Sequence, residues 1–362
     1  MSQEISYLSS EGSFAPVAIT TLSRIECLKT TIDSLGRCHC AEYTDVYISV
    51  DYPPNTKYKS GYVEVCNYLN TIHDDHPFKS LNLYFHKANL GPFENYLWLV
   101  RLILSKYDSI IILEDDNEPA PCFLDFCNKA LQIYATDNDV VVINPCDYVW
   151  CGDGYTPLLR SINIDDCNTE KRQMLWHGMA SWSECILPYY NFVIDQSILS
   201  IGDHPSALLK LFKRSKSLCY QYLKDTYNTR VKAPWHNGRL YSIDMTWDVA
   251  MIVFDKVAIC PIENLQRDLG VVGNGHSFTK AFSNSAELQN RKLKEEPEFD
   301  FVNPQDAALN MDELILHDKF QSKPWWKWAF LITGYLAKYL QRKLTGKSQK
   351  LINPWVARAD VV

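Results

Sequence analysis

What this chain has little of narrows its possibilities first. No apolar run approaches the roughly 18 residues a membrane-spanning helix needs, so no spanning segment is expected. Met1 to Ser13 is polar, with neither a basic start nor an apolar stretch, and offers no secretory signal. Glycine is sparse, 14 in 362 residues, and none falls in the turn Thr21-Leu22-Ser23-Arg24 that follows the first apolar run. A glycine-rich cradle for a triphosphate is therefore missing there. The G-x-x-x-x-G-K-[ST] phosphate loop and the G-x-S-x-G hydrolase elbow are missing throughout. The 12 cysteines include no C-x-x-C pair, and Cys38-His39-Cys40 lacks the spacing of a zinc site. Without an export signal the thiols are expected to be reduced.

Negative charge is missing from one long stretch. From Lys319 to Lys350 there are eight Lys or Arg and no acid, against a net charge of −7 for the whole chain. The remainder is strongly acidic, which argues against long-range attraction of nucleic acid. The tail is a separate electrostatic object. Aromatic residues make up 13%, which suits either a ring-stacking cleft or a well-filled core.

The apolar pattern alternates between two periods. Short runs at Pro16–Thr20, Asp45–Val50, Leu81–His86, Ser109–Leu113 and Val140–Asn144 read as buried strands. Between them, Ile25–Leu35, Tyr62–Ile72, Pro92–Ser105 and Cys122–Tyr134 have helical spacing. Such alternation predicts an α/β fold with a mostly parallel, doubly wound sheet. Residues 146–175 read as loop, helices are expected at Ser183–Tyr190 and Pro205–Tyr227, and Val257–Pro261 reads as a late strand. Residues 283–312 read as a polar excursion. Three units are expected: 1–145, 146–318 and a tail, 319–362.

The sharpest chemical signal is Ser109 to Asp116, an apolar strand ending in Glu114-Asp115-Asp116. Adjacent carboxylates repel one another, so a fold that gathers them usually supplies a cation. Ligands of open α/β sheets bind outside the carboxyl ends of the strands, where this triplet falls. Hard oxygen donors suit Mg²⁺ or Mn²⁺, which take one or two carboxylates together with substrate phosphates. Strand alternation would set Glu114 and Asp116 on one side and Asp115 on the other. The competing reading is a solvated, helix-capping turn. A second acidic group, His73-Asp74-Asp75-His76, precedes Pro77 and reads as a solvated loop.

With these pieces in order, the stretch from Pro16 to about Thr279 resembles the GT-A glycosyltransferases. It is closest to the N-acetylglucosaminyltransferase I branch and to family 2-like bacterial sugar transferases. The pieces are Pro16–Arg24, Tyr47–Asp51, Asn89-Leu90-Gly91, Leu113–Phe123, Ala180-Ser181-Trp182, Trp247-Asp248 and Asn264–Gly270. The resemblance implies a Rossmann-like nucleotide-binding half fused to an acceptor-binding half. It implies a nucleotide-sugar donor, UDP in the first instance, a Mn²⁺ or Mg²⁺ ion on Asp116, and inverting transfer to a glycan or lipid-linked acceptor. Asp115 would meet the ribose and Glu114 would support the triplet. Thr20 and Arg24 would lie beside the nucleotide. Asp51 would read a uracil edge or, equally, serve as a turn residue before Pro53. Asp248 would be the catalytic base, with Asp244 one helical turn away as its competitor. Arg267–His276 would close over the donor, with His276 at the diphosphate or the metal, or simply a loop histidine. The departures are Ser183-Glu184, where relatives carry a basic pair, and a poor match from about 190 to 240. A sugar nucleotidyltransferase is the rival enzyme class, weakened by the glycine-free first turn. A binding protein that kept the fold without catalysis is the rival outside enzymology.

In the tail, Trp325, Trp328, Ala329, Ile332, Leu336, Tyr339 and Leu340 share one side of a helical wheel, with Lys327, Lys338 and Gln341 opposite. Either the helix lies in an anionic membrane interface or it docks on the domain. The first reading makes the protein a peripheral enzyme on the cytoplasmic face of a bacterial inner membrane, building a surface polysaccharide such as O-antigen or capsule.

Overall fold

The computed structural model describes residues 14–146, 148–150, 155–157, 169–173, 178–228, 235–236, 239–240, 244–263, 265–271, 292–296, 298–305, 309–311, 314–315, 318–319 and 322–355. An eight-stranded sheet runs through its centre. Strands β1 (Val17–Thr21), β2 (Asp45–Val50), β3 (Ser80–Phe85) and β4 (Ser109–Glu114) pair in parallel, in the order β3-β2-β1-β4. They alternate with α1 (Ile25–Gly36), α2 (Lys59–Ile72) and α3 (Pro92–Leu104). Every residue of β2 is buried, as expected of a parallel strand covered on both faces. Helix α1 turns Leu28, Ile32 and Leu35 inward, three and four residues apart. Helix α3 begins with Pro92, which gives up no helical hydrogen bond there, just after Gly91 at φ +81°.

Past β4 come β5 (Asn117–Pro119), α4 (Phe123–Ile133) and β6 (Val140–Ile143). The sheet continues through β7 (Thr169–Arg172), β8 (Met179–Trp182) and β9 (Val257–Pro261). β8 inserts antiparallel between β4 and β6, β9 runs parallel to β6, and β7 closes the edge antiparallel to β9. The protein is thus α/β with a mostly parallel sheet, as the alternation predicts.

The two reversed strands are what the sequence reading lacks. β7 falls inside the stretch read as loop, because Thr169-Glu170-Lys171-Arg172 has no apolar alternation. Its charges enter the interior as a pair. Arg172, 1% exposed, bonds Glu170, its Nη1 donates to the Cys146 carbonyl at 3.0 Å, and Asn310 donates to the other Glu170 oxygen at 2.7 Å. A buried pair survives only when its remaining donors and acceptors are filled in this way. The polar excursion also returns to the core, where Phe299 and Phe301 lie 5.1 and 5.8 Å from the Phe126 ring.

The second half adds α5 (Ser183–Ile194), α6 (Pro205–Arg214), α7 (Lys216–Gln221) running on into a wider turn at Tyr222–Tyr227, and α8 (Asp244–Phe254). Rings fill this half. Trp247 stacks on Tyr189 at 3.7 Å, and Trp355 lies 5.9 Å from Trp247 while donating to the Cys185 carbonyl at 3.0 Å.

The tail helix α9 (Trp325–Leu344) is docked on these helices. Leu331, Gly334 and Tyr335 are buried, and Asn228 donates to the Leu331 carbonyl at 3.2 Å. Arg342 grips Asp203 from Nε and Nη2 at 2.8 and 2.6 Å. Tyr227 and the Gln349 N–H, each at 2.8 Å, complete that carboxylate. The single apolar face of the wheel therefore divides. Trp328 packs inward against Phe212 and Tyr220, while Trp325, Ile332, Leu336 and Leu340 stay exposed.

Candidate functional site

The carboxyl ends of β1, β2 and β4 lie side by side, so parallel pairing gathers residues distant in sequence. Thr20 sits in register with Glu114, and the Asp51 N–H donates to the Thr21 carbonyl at 2.9 Å. β4 ends at Glu114, and the chain then turns sharply into β5. That turn is stapled by β10 (Gln266–Asp268), which pairs antiparallel with β5 so that Asp268 faces Asn117. Leu269 N–H donates to the Asp116 carbonyl at 2.7 Å, and Glu114 N–H donates to Asn117 Oδ1 at 3.1 Å.

Strand alternation does not hold across the triplet. The chain leaves the strand after Glu114, so Glu114 is exposed while Asp115 and Asp116 both turn inward, each 5% exposed. Arg24, at the start of α1, receives them. Its Nη1 meets Asp116 Oδ2 at 2.5 Å and its Nη2 bonds Asp115 Oδ1. Thr21 donates its hydroxyl to Asp115 Oδ2 at 2.6 Å. Asp116 Oδ1 is buried and has no hydrogen-bond partner. Gly270 lies against the same carboxylate, and a Cβ there would fall 2.3 Å from Asp116 Oδ2.

Burial, then the neighbouring Glu114 charge, pushes the Asp116 carboxyl up to about 7. Arg24 pulls it back, while Asp115 and Asp268 add to the push. Burial also raises Asp115, against Arg24 and Thr21. Arg24 thus does not bring either carboxyl back to its usual range. Such a site gains from a further cation.

Among the described residues, no three His, Cys, Asp or Glu side chains form a ready-made metal cage. The donor set nonetheless fits an ion of the Mg²⁺ or Mn²⁺ kind. These ions take one or two carboxylates and leave other positions to water and substrate phosphate. Asp116 Oδ1 is a buried, hard oxygen without a partner at the ligand edge of the sheet, and it needs one.

The other expected residues are placed as follows. Asp51 binds the loop Asn89-Leu90-Gly91, accepting from Leu90 N–H at 2.8 Å, Gly91 N–H at 2.9 Å and the Asn89 amide at 2.9 Å. It also accepts from Tyr52 N–H at 2.8 Å, so its carboxylate is filled by the chain itself. Asp248 stands on α8, buried to 4% exposure beside Trp247 in the second half. Asp244 opens the same helix one turn earlier. The expected lid begins as strand, with Arg267 paired to Glu118 at 3.0 Å, and residues 272–276, including His276, lie outside the described residues. The His73–His76 group is a surface turn past α2, with His73 Nδ1 3.1 Å from Oδ1 of its own neighbour Asp74.

Thr21 and Asp268 belong to the site and were not singled out from sequence. Thr21 is one strand position beyond the expected Thr20. Asp268 is inside the quoted Asn264–Gly270 piece, but only the β5–β10 pairing brings it to the acidic turn.

No family model and no curated protein matches the chain. Among solved structures it is similar to the mannosyltransferase PcManGT from Pyrobaculum calidifontis, in complex with GDP-Man and Mn²⁺, at 12% identity and TM-score 0.29. That likeness covers 50% of this chain and 50% of that one. It is also similar to the bifunctional glycosyltransferase WbbM in its apo form, at 12% identity and TM-score 0.30, over 52% of this chain and 35% of that one. The chain therefore matches half or less of either protein's length, and likenesses so slight do not bear on its chemistry.

Proposed function

We propose that the chain is a metal-dependent glycosyltransferase of the GT-A kind, moving a sugar from a nucleotide donor, UDP-linked in the first instance, to a glycan or lipid-linked glycan acceptor with inversion. The observation that carries this reading is the unpartnered, buried Asp116 Oδ1 in a turn of carboxylates at the ligand edge of parallel strands. The seven motif pieces that resemble the family supply the sugar-transfer chemistry.

In this reading Asp116 holds Mn²⁺ or Mg²⁺, and Glu114 and Asp268 add negative charge around it. When bound, the ion supplies Lewis-acid stabilisation of the leaving diphosphate. Arg24 keeps Asp115 and Asp116 in place and sets a permanent positive charge beside the phosphates. Asp115, anchored by Thr21, receives the ribose, with Thr20 and Glu114 beside it on neighbouring strands. Asp51 acts through the Asn89–Gly91 loop, which it holds against the nucleotide's side of the sheet. Asp248 accepts the proton of the acceptor hydroxyl. His276 is assigned to the diphosphate side.

The test is transfer from a panel of nucleotide sugars, with and without Mn²⁺. Asp116→Asn should lower turnover about a thousandfold, since several kcal/mol of leaving-group stabilisation is lost. Asp248→Asn should lower kcat by roughly a hundredfold or more while donor binding survives. Full activity in EDTA, or donor binding without any turnover in the parent protein, would overturn the reading.

A further inference from the structure

Helix α9 buries one side and leaves an equally apolar side uncovered. Leu331, Tyr335 and Arg342 define the docked side. Roughly 80–160° around the helix from that side, Trp325, Trp326, Ile332, Leu336, Leu340 and Leu344 are all exposed, Trp325 at 80% and Leu344 at 86%. Exposed apolar patches of this kind mark an interaction surface. With 20 residues the helix is about 30 Å long. No described helix is long and apolar enough to cross a membrane.

We propose that this outer face of α9 is a membrane-docking ridge that lies flat in the interface of an anionic lipid surface. Charge selects that occupant. Between Lys319 and Lys350 there is no acid, and Lys343, Lys347 and Lys350 stand exposed at the C-terminal end of the ridge. Among the described residues, Lys338, Lys343, Lys347 and Lys350 have no carboxylate partner. Apolar residues flanked by unmatched lysines suit acyl chains beneath anionic headgroups. A second copy of the chain suits them poorly, because two such faces would bring like charges together.

Docking and membrane binding are therefore not alternatives for this helix. The Arg342–Asp203 clamp fixes the inner side, so the outer side meets the membrane at a set angle to the sheet. The acceptor consequence follows: a lipid-linked acceptor would be presented to the fold in one orientation. The ridge itself does not depend on the donor chemistry proposed above.

The experiment is co-flotation of the full-length chain with phosphatidylglycerol/phosphatidylcholine vesicles and with pure phosphatidylcholine vesicles, beside sedimentation of the lipid-free protein. The parent should bind the anionic vesicles at low salt and bind neutral ones weakly. Trp325→Ser/Trp326→Ser/Leu336→Ser should reduce binding by about tenfold or more, with the thermal midpoint unchanged because these side chains are exposed. Lys343→Gln/Lys347→Gln/Lys350→Gln should remove the preference for anionic lipid and flatten the salt dependence. The proposal is overturned if the parent ignores anionic vesicles at low salt, or if both variants bind like the parent. It is equally overturned if the protein is a dimer that the serine variant dissolves without any change in vesicle binding.

Discussion

Arg342 and Arg24 both grip aspartates, and they do so to opposite effect. Arg342 closes on one carboxylate, Asp203, whose oxygens also accept from Tyr227 and from the Gln349 N–H. Burial opposes ionisation there, but Arg342, with Gln349 and Tyr227, holds the Asp203 carboxyl below the usual carboxylate range. Arg24 instead divides itself between Asp115 and Asp116, leaves Asp116 Oδ1 unpartnered, and both carboxyls remain above their usual range. The first pair is finished and holds a helix. The second is unfinished at Asp116 Oδ1, which is where the proposed ion would sit.

Removing each arginine tests the contrast most strongly. Arg342→Ala strands a buried carboxylate and should cost roughly 3–5 kcal/mol in chemical unfolding. Arg24→Ala should cost less, roughly 1–3 kcal/mol, because carboxyls raised by burial take up a proton more readily than Asp203 when their partner is removed, and Mn²⁺ should recover the loss. Equal costs for the two variants would erase the distinction.

The pH dependence separates the sites next. A carboxyl raised in the folded state holds its proton more tightly there than in the unfolded chain. The contribution of Asp116 therefore favours folding at low pH and fades as pH climbs through about 7. Asp203, being depressed, contributes above the unfolded value and loses its contribution only as pH falls through its lowered one. Thermal melts should accordingly show Mn²⁺ stabilising the parent more at pH 8 than at pH 6, and Asp116→Asn melting higher than the parent at pH 8 without the ion. A Mn²⁺ shift equal at both pH values, or retained in Asp116→Asn, would contradict this.

The smallest effect is expected at Gly270. A methyl group would strike Asp116 Oδ2, so Gly270→Ala should weaken Mn²⁺ binding by about tenfold, measured by calorimetry, while the Arg342 clamp is untouched. Unchanged affinity would mean that the β10 turn yields at no cost and does not shape the carboxylate.

The first half was readable because its elements announce themselves. β4 is built on the continuous apolar run Ile110–Leu113, β2 on a run broken only by Ser49, and α1 and α4 carry regular stripes, so period alone places them. The second half is carried by elements that obey no simple period. β7 is four polar or charged residues made tolerable by the Glu170–Arg172 pair, and β8 enters the sheet against the prevailing direction. At the acidic turn the sequence shows Glu114, Asp115 and Asp116 together, but not which of them face inward. Alternation predicts sidedness only while the chain remains a strand, and this one turns after Glu114. Asp268 reaches the turn through a pairing that no local pattern encodes. On α9 the helical period was right, yet one wheel cannot distinguish an apolar side that docks from one that does not.

The staple of β5 by β10 joins positions as far apart as Glu118 and Arg267, 149 residues. During synthesis the acidic turn can therefore be completed only after residues 266–270 have been made. Closing so long a loop is entropically slow and is repaid only after most of the sheet exists. Until the segment around 266–270 arrives, Asp116 has neither the Leu269 N–H on its carbonyl nor Gly270 against its side chain. A growing or half-folded chain would consequently carry the Glu-Asp-Asp signature without the shape that makes it useful. On the proposed function, tight capture of a divalent ion would then report a completed fold.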